Sequence, residues 1–261
     1  MAFSSLRALL GGGGGGGGDR GVFGGGWSGV YSNVIGYITI SSTGDATNFG
    51  DLTVSRSNLA ATSNGTTGRG VFGGGYGASY SNVLDYITIS STGDATNFGD
   101  LTVARYSLGA TSNGTTDRGV FGGGGTGSNS NVLDYITISS TGDATNFGDL
   151  TVSRSNLAAT SNGTTGRGVF GGGDTGSYSN VLDYITISST GDATNFGDLT
   201  VARAYLAPTS NGTTDRGVFG GGTTGSNSNV IDYITVSSTG DATNFGDLTV
   251  ARHSLSATSD A

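Results

Sequence analysis

The chain has 261 residues, 52 of them glycine, and a formal net charge of −8. Its basic residues are all Arg and its acidic residues are all Asp, so the helix formers Lys and Glu are absent. The acidic charge disfavours nucleic-acid binding and adsorption on anionic membranes. Without cysteine there is neither a disulfide nor a thiolate metal site, and no apolar run is long enough to insert into a membrane.

The chain opens with ten mildly apolar residues and eight glycines. Polyglycine has no side chain to bury and much entropy to lose, so we predict that residues 1–18 are a docking peptide on a flexible tether. The apolar plug of this assembly arm consists of Phe3, Leu6, Leu9 and Leu10. A tether that docks nothing and a removed targeting segment are the alternatives.

Residues 19–261 repeat with a period of 49. The segment GVFGGG begins at Gly21, Gly70, Gly119, Gly168 and Gly217. A fixed period of this size indicates a repeat architecture. Five units account for 245 residues, which leaves no room for a second sizeable domain.

Each unit contains four strand candidates. In the second unit they are LAATS (59–63), RGVFG (69–73), NVLDYITI (82–89) and FGDLTV (98–103). The Asn-Gly pair after the first strand indicates a hairpin, and the third strand is apolar on both faces, so it needs cover on both sides. No linking segment has room for a helix. This pattern predicts an all-β protein, a single five-bladed β-propeller with four-stranded antiparallel blades.

The two ends of the chain predict how this ring closes. The first GVFGGG has no LAATS strand before it, and the last such strand, Leu255–Ser259, has no GVFGGG after it. We therefore expect Leu255–Ser259 to pair beside Gly21–Gly24 and to complete the first blade. Pro208 replaces an Ala in one inner strand, which fits an edge strand facing the central channel.

The chain resembles the kelch family of β-propellers. The glycine run after a strand, the Tyr of DYITI and an Arg before each inner strand carry the resemblance, whereas a Phe replaces the family's Trp. These Arg residues are Arg56, Arg105, Arg154, Arg203 and Arg252. The near-identical units and the polyglycine also resemble Gly-rich repeat proteins of marine phages and their hosts, which implies a virion or an extracellular surface.

The residues offer little for catalysis. His253 is the only His, so a Ser-His-Asp triad would have to use it, and there is no Glu for sialidase-type chemistry. Asp45 and Asp51 recur in GDATNFGD, which favours a turn and leaves calcium binding as an alternative. Another Arg series, at Arg20 and its copies, is expected to bond loop carbonyls or Asp. We predict no enzyme activity, no cofactor and no metal.

The units differ from one another mainly in two segments. One follows GVFGGG, as in WSGVYS (27–32), and the other follows the Arg, as in Tyr106-Ser107. In a four-stranded blade both loops leave on the same side, so the variation is expected on one face of the disc. The candidate binding residues there are Trp27, Tyr31, Tyr76, Tyr80, Tyr106, Tyr178, Tyr205 and His253. Aromatic side chains among Ser, Gly and Asn are typical of recognition surfaces and suit stacking on sugar rings. The alternative is that these loops are simply the least constrained positions.

These patterns predict a non-enzymatic structural or adhesion protein of a virion or cell surface, part of an oligomer. Residues 1–18 would bind other virion or surface proteins, and the variable face would bind a glycan or a protein receptor. A self-assembling filament or surface-layer subunit is one alternative. An extracellular glycan hydrolase or lyase, which would need catalysis by Asp alone, is another.

Overall fold

The computed structural model describes residues 9–11 and 19–258. In this part of the chain all regular structure is β, and no helix is long and apolar enough to cross a membrane. Twenty strands form five four-stranded antiparallel sheets, one for each repeat, in a propeller arrangement. The all-β, five-bladed prediction is therefore confirmed. The remaining arm residues, among them Phe3 and Leu6, lie outside the described residues.

The strands of blade 1 are β1 (Leu9–Gly11), β2 (Arg20–Gly24), β3 (Val34–Thr39) and β4 (Thr47–Asp51). Those of blade 2 are β5 (Ala60–Thr62), β6 (Arg69–Gly73), β7 (Val83–Thr88) and β8 (Thr96–Asp100). Those of blade 3 are β9 (Gly109–Ser112), β10 (Arg118–Gly122), β11 (Val132–Thr137) and β12 (Thr145–Asp149). Those of blade 4 are β13 (Ala158–Thr160), β14 (Arg167–Gly171), β15 (Val181–Thr186) and β16 (Thr194–Asp198). Those of blade 5 are β17 (Ala207–Ser210), β18 (Arg216–Gly220), β19 (Val230–Thr235) and β20 (Thr243–Asp247).

The second strand of the repeat has the predicted bounds, but the fourth begins and ends earlier than FGDLTV. A bulge between Leu84 and Asp85 shifts the register of β8 against β7. The chain then turns at Leu101, whose N–H donates to Asn82 O at 2.7 Å, and its side chain enters the core. Leu101 is thus a packing residue beyond the strand. Pro208 lies in the edge strand β17 and lines the central channel, as predicted.

Ring closure by the C-terminal segment is a wrong prediction. Leu9–Gly11 occupies the inner edge of blade 1, with Leu9 opposite Phe23 and Leu10 opposite Val22. The described part of the C-terminal segment, 255–258, forms no strand. The edge of β2 offers backbone groups that any extended segment can pair with, and the nearby N-terminal residues take it. Leu9 and Leu10, predicted as part of the arm, thus belong to the first sheet.

The core of the described residues consists of four clusters, one between each pair of successive blades. We call the side of a blade that meets the preceding blade its leading face and the other its trailing face. At the first interface, Val22, Ile35 and Phe49 on the trailing face of blade 1 pack against Phe72 and Ile87 on the leading face of blade 2. Two-sided burial of the third strand is therefore confirmed for blades 2 to 4, which have a packed blade on each side.

No corresponding cluster joins blade 5 to blade 1 among the described residues, and we call this boundary the seam. Phe245, on the trailing face of blade 5, is 54% exposed, whereas its counterpart Phe98 is 2% exposed. Ile40, on the leading face of blade 1, is 56% exposed against 2% for Ile89. A cavity of about 430 Å³ separates Ser254 and Ser256 from Gly25, Gly26 and Trp27 across the seam.

A buried ion pair crosses each of the four interfaces. In the first, Arg56 Nη2 lies 2.8 Å from Asp85 Oδ2, and both side chains are fully buried. Arg56 Nη1 also donates to Val83 O at 2.6 Å, and Thr53 Oγ1 donates to Asp85 Oδ1 at 2.5 Å. The other pairs are Arg105–Asp134, Arg154–Asp183 and Arg203–Asp232. Burial lowers the pKa of each Arg, and the paired Asp opposes this effect.

The sequence carries a signal for these pairs that the motif analysis missed. The Asp of the third strand recurs in four units, but in the first unit VIGYITI has Gly36 in its place. Four Asp residues match four packed interfaces, and the fifth Arg, Arg252, is exposed. The other Arg series behaves as predicted, since Arg20, for example, donates to the carbonyl of Ile89 at 3.0 Å and lies over Tyr37.

Candidate binding face

The two variable segments lie side by side, because the loop after the glycine run pairs with the chain passing between blades. Isolated β-bridges join Ser57 to Tyr76 and Tyr106 to Gly125, and the same bridge recurs at the next two boundaries. The first segment is itself a narrow turn, in which Tyr76 pairs with Tyr80. The fold therefore gathers the residues that differ between units into adjoining loops.

Glycine is required where the first variable segment begins. Gly74 and Gly75 have positive φ values of 66° and 111°. A Cβ on Gly74 would lie 2.6 Å from Arg105 O, and one on Gly75 would lie 2.8 Å from Ser57 O. Gly75 N–H donates to Arg105 O at 2.9 Å, so the close approach anchors the loop to the boundary with the next blade. The glycine run therefore forms a turn at the end of the second strand.

The second variable segment has a residue in the left-handed conformation at each boundary. These residues are Asn58, Ser107, Asn156, Tyr205 and Ser254, with φ between 53° and 60°. From Ser107 onward, the N–H of each of these residues donates to the carbonyl of the corresponding residue one unit earlier, as from Ser107 to Asn58 at 2.8 Å. A directional chain of backbone hydrogen bonds thus fixes the loops of successive blades relative to one another.

Five of the predicted aromatic residues form one continuous cluster over blades 1 to 3. Trp27 and Tyr31 have ring centroids 4.6 Å apart, and Tyr31 lies 5.6 Å from Tyr76. Tyr76 is 5.6 Å from Tyr80 and 5.8 Å from Tyr106, while Tyr80 and Tyr106 stack at 5.3 Å. We call these five residues the aromatic cluster. Such contacts hold the rings in place while leaving part of their surface in water.

The other three predicted residues lie apart from this cluster. Tyr205 and His253 form an edge contact at 5.8 Å, and His253 Nδ1 lies 2.9 Å from Ser254 Oγ. Tyr178 is 37% exposed and makes no ring contact with another aromatic side chain in the described residues. Its ring lies near Gly225 in the next blade, 4.0 Å from where a Cβ would be.

The pKa of the Tyr106 phenol on this face is raised above its ordinary value. Partial burial raises the pKa of its phenol, and the neighbouring phenols of Tyr80, Tyr205 and Tyr76 raise it further. A phenol held in its neutral form keeps an O–H that can both donate and accept hydrogen bonds. The cluster therefore combines ring faces with polar edges.

The recurring acidic turns have structural partners. Asp94 Oδ1 accepts from Asp51 N at 3.0 Å, and the same bond crosses each later interface from Asp143, Asp192 and Asp241. Within the described ranges no group of three His, Cys, Asp or Glu side chains is arranged to hold a metal ion.

Comparison of the chain with known protein families and with curated proteins gives no match.

Proposed function

We propose that this protein is a non-enzymatic binding protein that recognises a glycan through the aromatic cluster. The observation that supports this proposal is the continuity of the cluster, in which ring contacts link side chains from the variable loops of three blades. A row of rings with exposed edges matches the alternating apolar faces and hydroxyls of a sugar chain. Tyr and Trp provide large contact areas at low entropic cost, which suits such a surface.

The display of this face on a larger assembly completes the proposal. A virion or a cell surface is the proposed location, on the strength of the sequence resemblance alone. Because Leu9–Gly11 belongs to the first sheet, the proposed attachment to a structural protein is the segment before Leu9. Two features support the non-enzymatic assignment. The buried carboxylates are each bound to an Arg and a Thr, and His253 packs on Tyr205.

A glycan array with the whole protein tests the glycan proposal. The variant Tyr80→Ala removes the ring that stacks on Tyr106 and is expected to lower affinity by about 10- to 100-fold, as loss of a binding anchor does. Tyr178→Ala is the matched control, because Tyr178 holds the same repeat position at nearly the same exposure outside the cluster. Equal losses in both variants, or no bound glycan at all, would contradict the proposal.

Self-assembly is a second candidate function, favoured by the exposed faces at the seam. The trailing face of blade 5 presents Phe245 and Arg252, and the leading face of blade 1 presents Ile40. These faces are the two halves of an interface that the chain makes four times, so a second copy offers each face a matching surface. In sedimentation velocity, wild type should associate with increasing concentration and Phe245→Asp should not. A wild type that stays monomeric contradicts this function.

A further inference from the structure

The SNGT turn that joins the first two strands of a blade holds its Asn in one orientation. In blade 3, Asn113 Oδ1 accepts from Thr115 N at 3.3 Å, from Thr116 N at 3.2 Å and from Thr116 Oγ1 at 2.8 Å. Three donors around this oxygen fix the amide, since the NH₂ group cannot accept. Nδ2 therefore points away from the turn, toward the next blade.

At two other boundaries the corresponding Nδ2 meets a carboxylate. Asn64 Nδ2 donates to Asp117 Oδ1 at 3.0 Å, and Asn162 Nδ2 donates to Asp215 Oδ1 at 2.6 Å. The Asp117 carboxylate also accepts from Ser139 N at 3.1 Å and from Ser139 Oγ. One carboxylate is thus held by three donors from two blades, and Asp215 has the same arrangement with Ser237.

Between blades 3 and 4 the donors are present and the carboxylate is missing. Gly166 occupies the position that Asp117 and Asp215 hold at the boundaries on either side, and Ser188 occupies the position of Ser139. Asn113 is 1% exposed, and its Nδ2 has no hydrogen-bond partner in the part of the chain that the structure describes. A Cβ built on Gly166 would have a single heavy atom within 4 Å, Asn113 Nδ2 at 3.9 Å. Apart from the two residues that flank Gly166 in the chain, the unpaired donor is therefore the one group close to where an Asp side chain would begin.

This niche adjoins a polar funnel of about 440 Å³, lined by Asn113, Asn162 and Thr164 together with the other SNGT turns. Those turns connect the first and second strands, whereas the aromatic cluster lies on the loops between the second and third strands. The niche is therefore on the opposite side of the blades from the cluster. Gly166 is half-buried and Ser188 is exposed, so a ligand approaches these residues from solvent without touching the aromatic rings.

We propose that the niche formed by Asn113, Gly166 and Ser188 binds a small organic carboxylate. The chemical class follows from the two boundaries at which the chain supplies its own Asp. There, one oxygen accepts from the Asn amide and the other from the Ser hydroxyl. The Asn113 amide and the Ser188 hydroxyl can each donate a hydrogen bond into the niche, so it favours an acceptor, and a planar pair of oxygens matches its two sides. Because the protein carries a net charge of −8, binding is expected to be weak, in the millimolar range.

Titration of the whole ¹⁵N-labelled protein with sodium acetate, at ionic strength held constant with sodium chloride, tests this proposal. The side-chain amide resonances of Asn113 are expected to shift and saturate. Gly166→Asp fills the niche with a carboxylate of the chain and should abolish the shift. The position tolerates Asp, since Gly166 has φ +70° and Asp215 holds the same place at φ 54°.

Asp117→Gly is the matched variant, because it creates the same vacancy at Asn64 with a residue that units two and four already use. It should produce a second saturable shift, at the Asn64 amide. If Gly166→Asp does not fold, Asp117→Gly decides alone, and the absence of a new shift overturns the proposal. It is also overturned by a wild type without a saturable shift, by a shift that persists in Gly166→Asp, or by an equal response to inorganic phosphate. None of these outcomes depends on glycan binding at the aromatic cluster.

Discussion

The ion pair between blades 2 and 3 gives the sharpest test of what holds the interfaces together. Asp134→Asn keeps the shape of the side chain and removes its charge. Arg105 would then stay fully buried with two carbonyl bonds, to Val132 O at 2.6 Å and Phe121 O at 3.2 Å, but without its carboxylate at 2.8 Å. Removing one partner of a buried pair costs roughly 3–5 kcal/mol. Because the two carbonyls remain, we expect a loss of about 3 kcal/mol in the free energy of unfolding.

Urea and thermal unfolding followed by circular dichroism measure this loss. For a chain of this size, a loss of that magnitude lowers Tm by roughly 6–12 °C. Asp143→Asn is the control, since it removes the same charge from an exposed side chain that accepts one backbone hydrogen bond. It should cost less than about 1 kcal/mol. If Asp134→Asn costs no more than the control, the argument that buried charge pairs hold the blades together is refuted.

Three further predictions follow from differences between equivalent positions. Gly99→Ala should abolish the cooperative unfolding transition measured by calorimetry, because its Cβ would lie 2.3 Å from Gly142 O. The control Gly246→Ala should keep a cooperative transition, because its Cβ meets nothing within 4 Å. Similar behaviour of the two variants would contradict the interface geometry. Gly36→Asp gives the first unit the Asp that pairs with Arg in the other units, and Arg252 is the Arg across the seam. Because Arg252 is exposed, the variant should change the free energy of unfolding in urea by less than about 0.5 kcal/mol. A gain in stability of about 2 kcal/mol would show that the seam closes in solution. The phenol of Tyr106 should ionise above pH 10, because its pKa is raised in the folded protein. Its contribution to stability is therefore complete below pH 10 and is lost as pH rises through the folded pKa. The test is an absorbance titration of wild type minus Tyr106→Phe, and a midpoint at or below pH 10 would contradict the prediction.

Much of the fold is predictable from the sequence because each unit repeats the same solution. The strand RGVFG has the predicted bounds in all five blades, since alternation and the flanking glycines define it on both sides. The choice between Leu9–Gly11 and Leu255–Ser259 for the edge of β2 is different. Pairing at a sheet edge uses backbone groups, which every segment of the chain has. The similarity of LSATS to the other inner strands therefore could not show which end of the chain pairs with the edge of β2.

The candidate site is predictable only in part, for a similar reason. Variation between units identifies the loops and their side of the blade, but not which rings touch. Tyr80 and Tyr178 hold the same position in their units, yet Tyr80 stacks on Tyr106, whereas the unit after Tyr178 has Ala204 at the position of Tyr106. That difference depends on the neighbouring unit. The same is true of the buried Arg–Asp pairs, whose only sequence signal is Gly36 in the first unit.

The seam bears on how proteins of this design vary in length. A propeller that closes on itself must contain the number of blades that completes a full turn. Here each packed boundary is made by two consecutive units alone, and the outermost surfaces are not packed against each other. Loss of one terminal 49-residue unit would therefore leave every remaining boundary as it was and change the folding free energy by a nearly constant step. A shorter chain of this design is therefore expected to fold, whereas an added sixth blade would have no room in the seam.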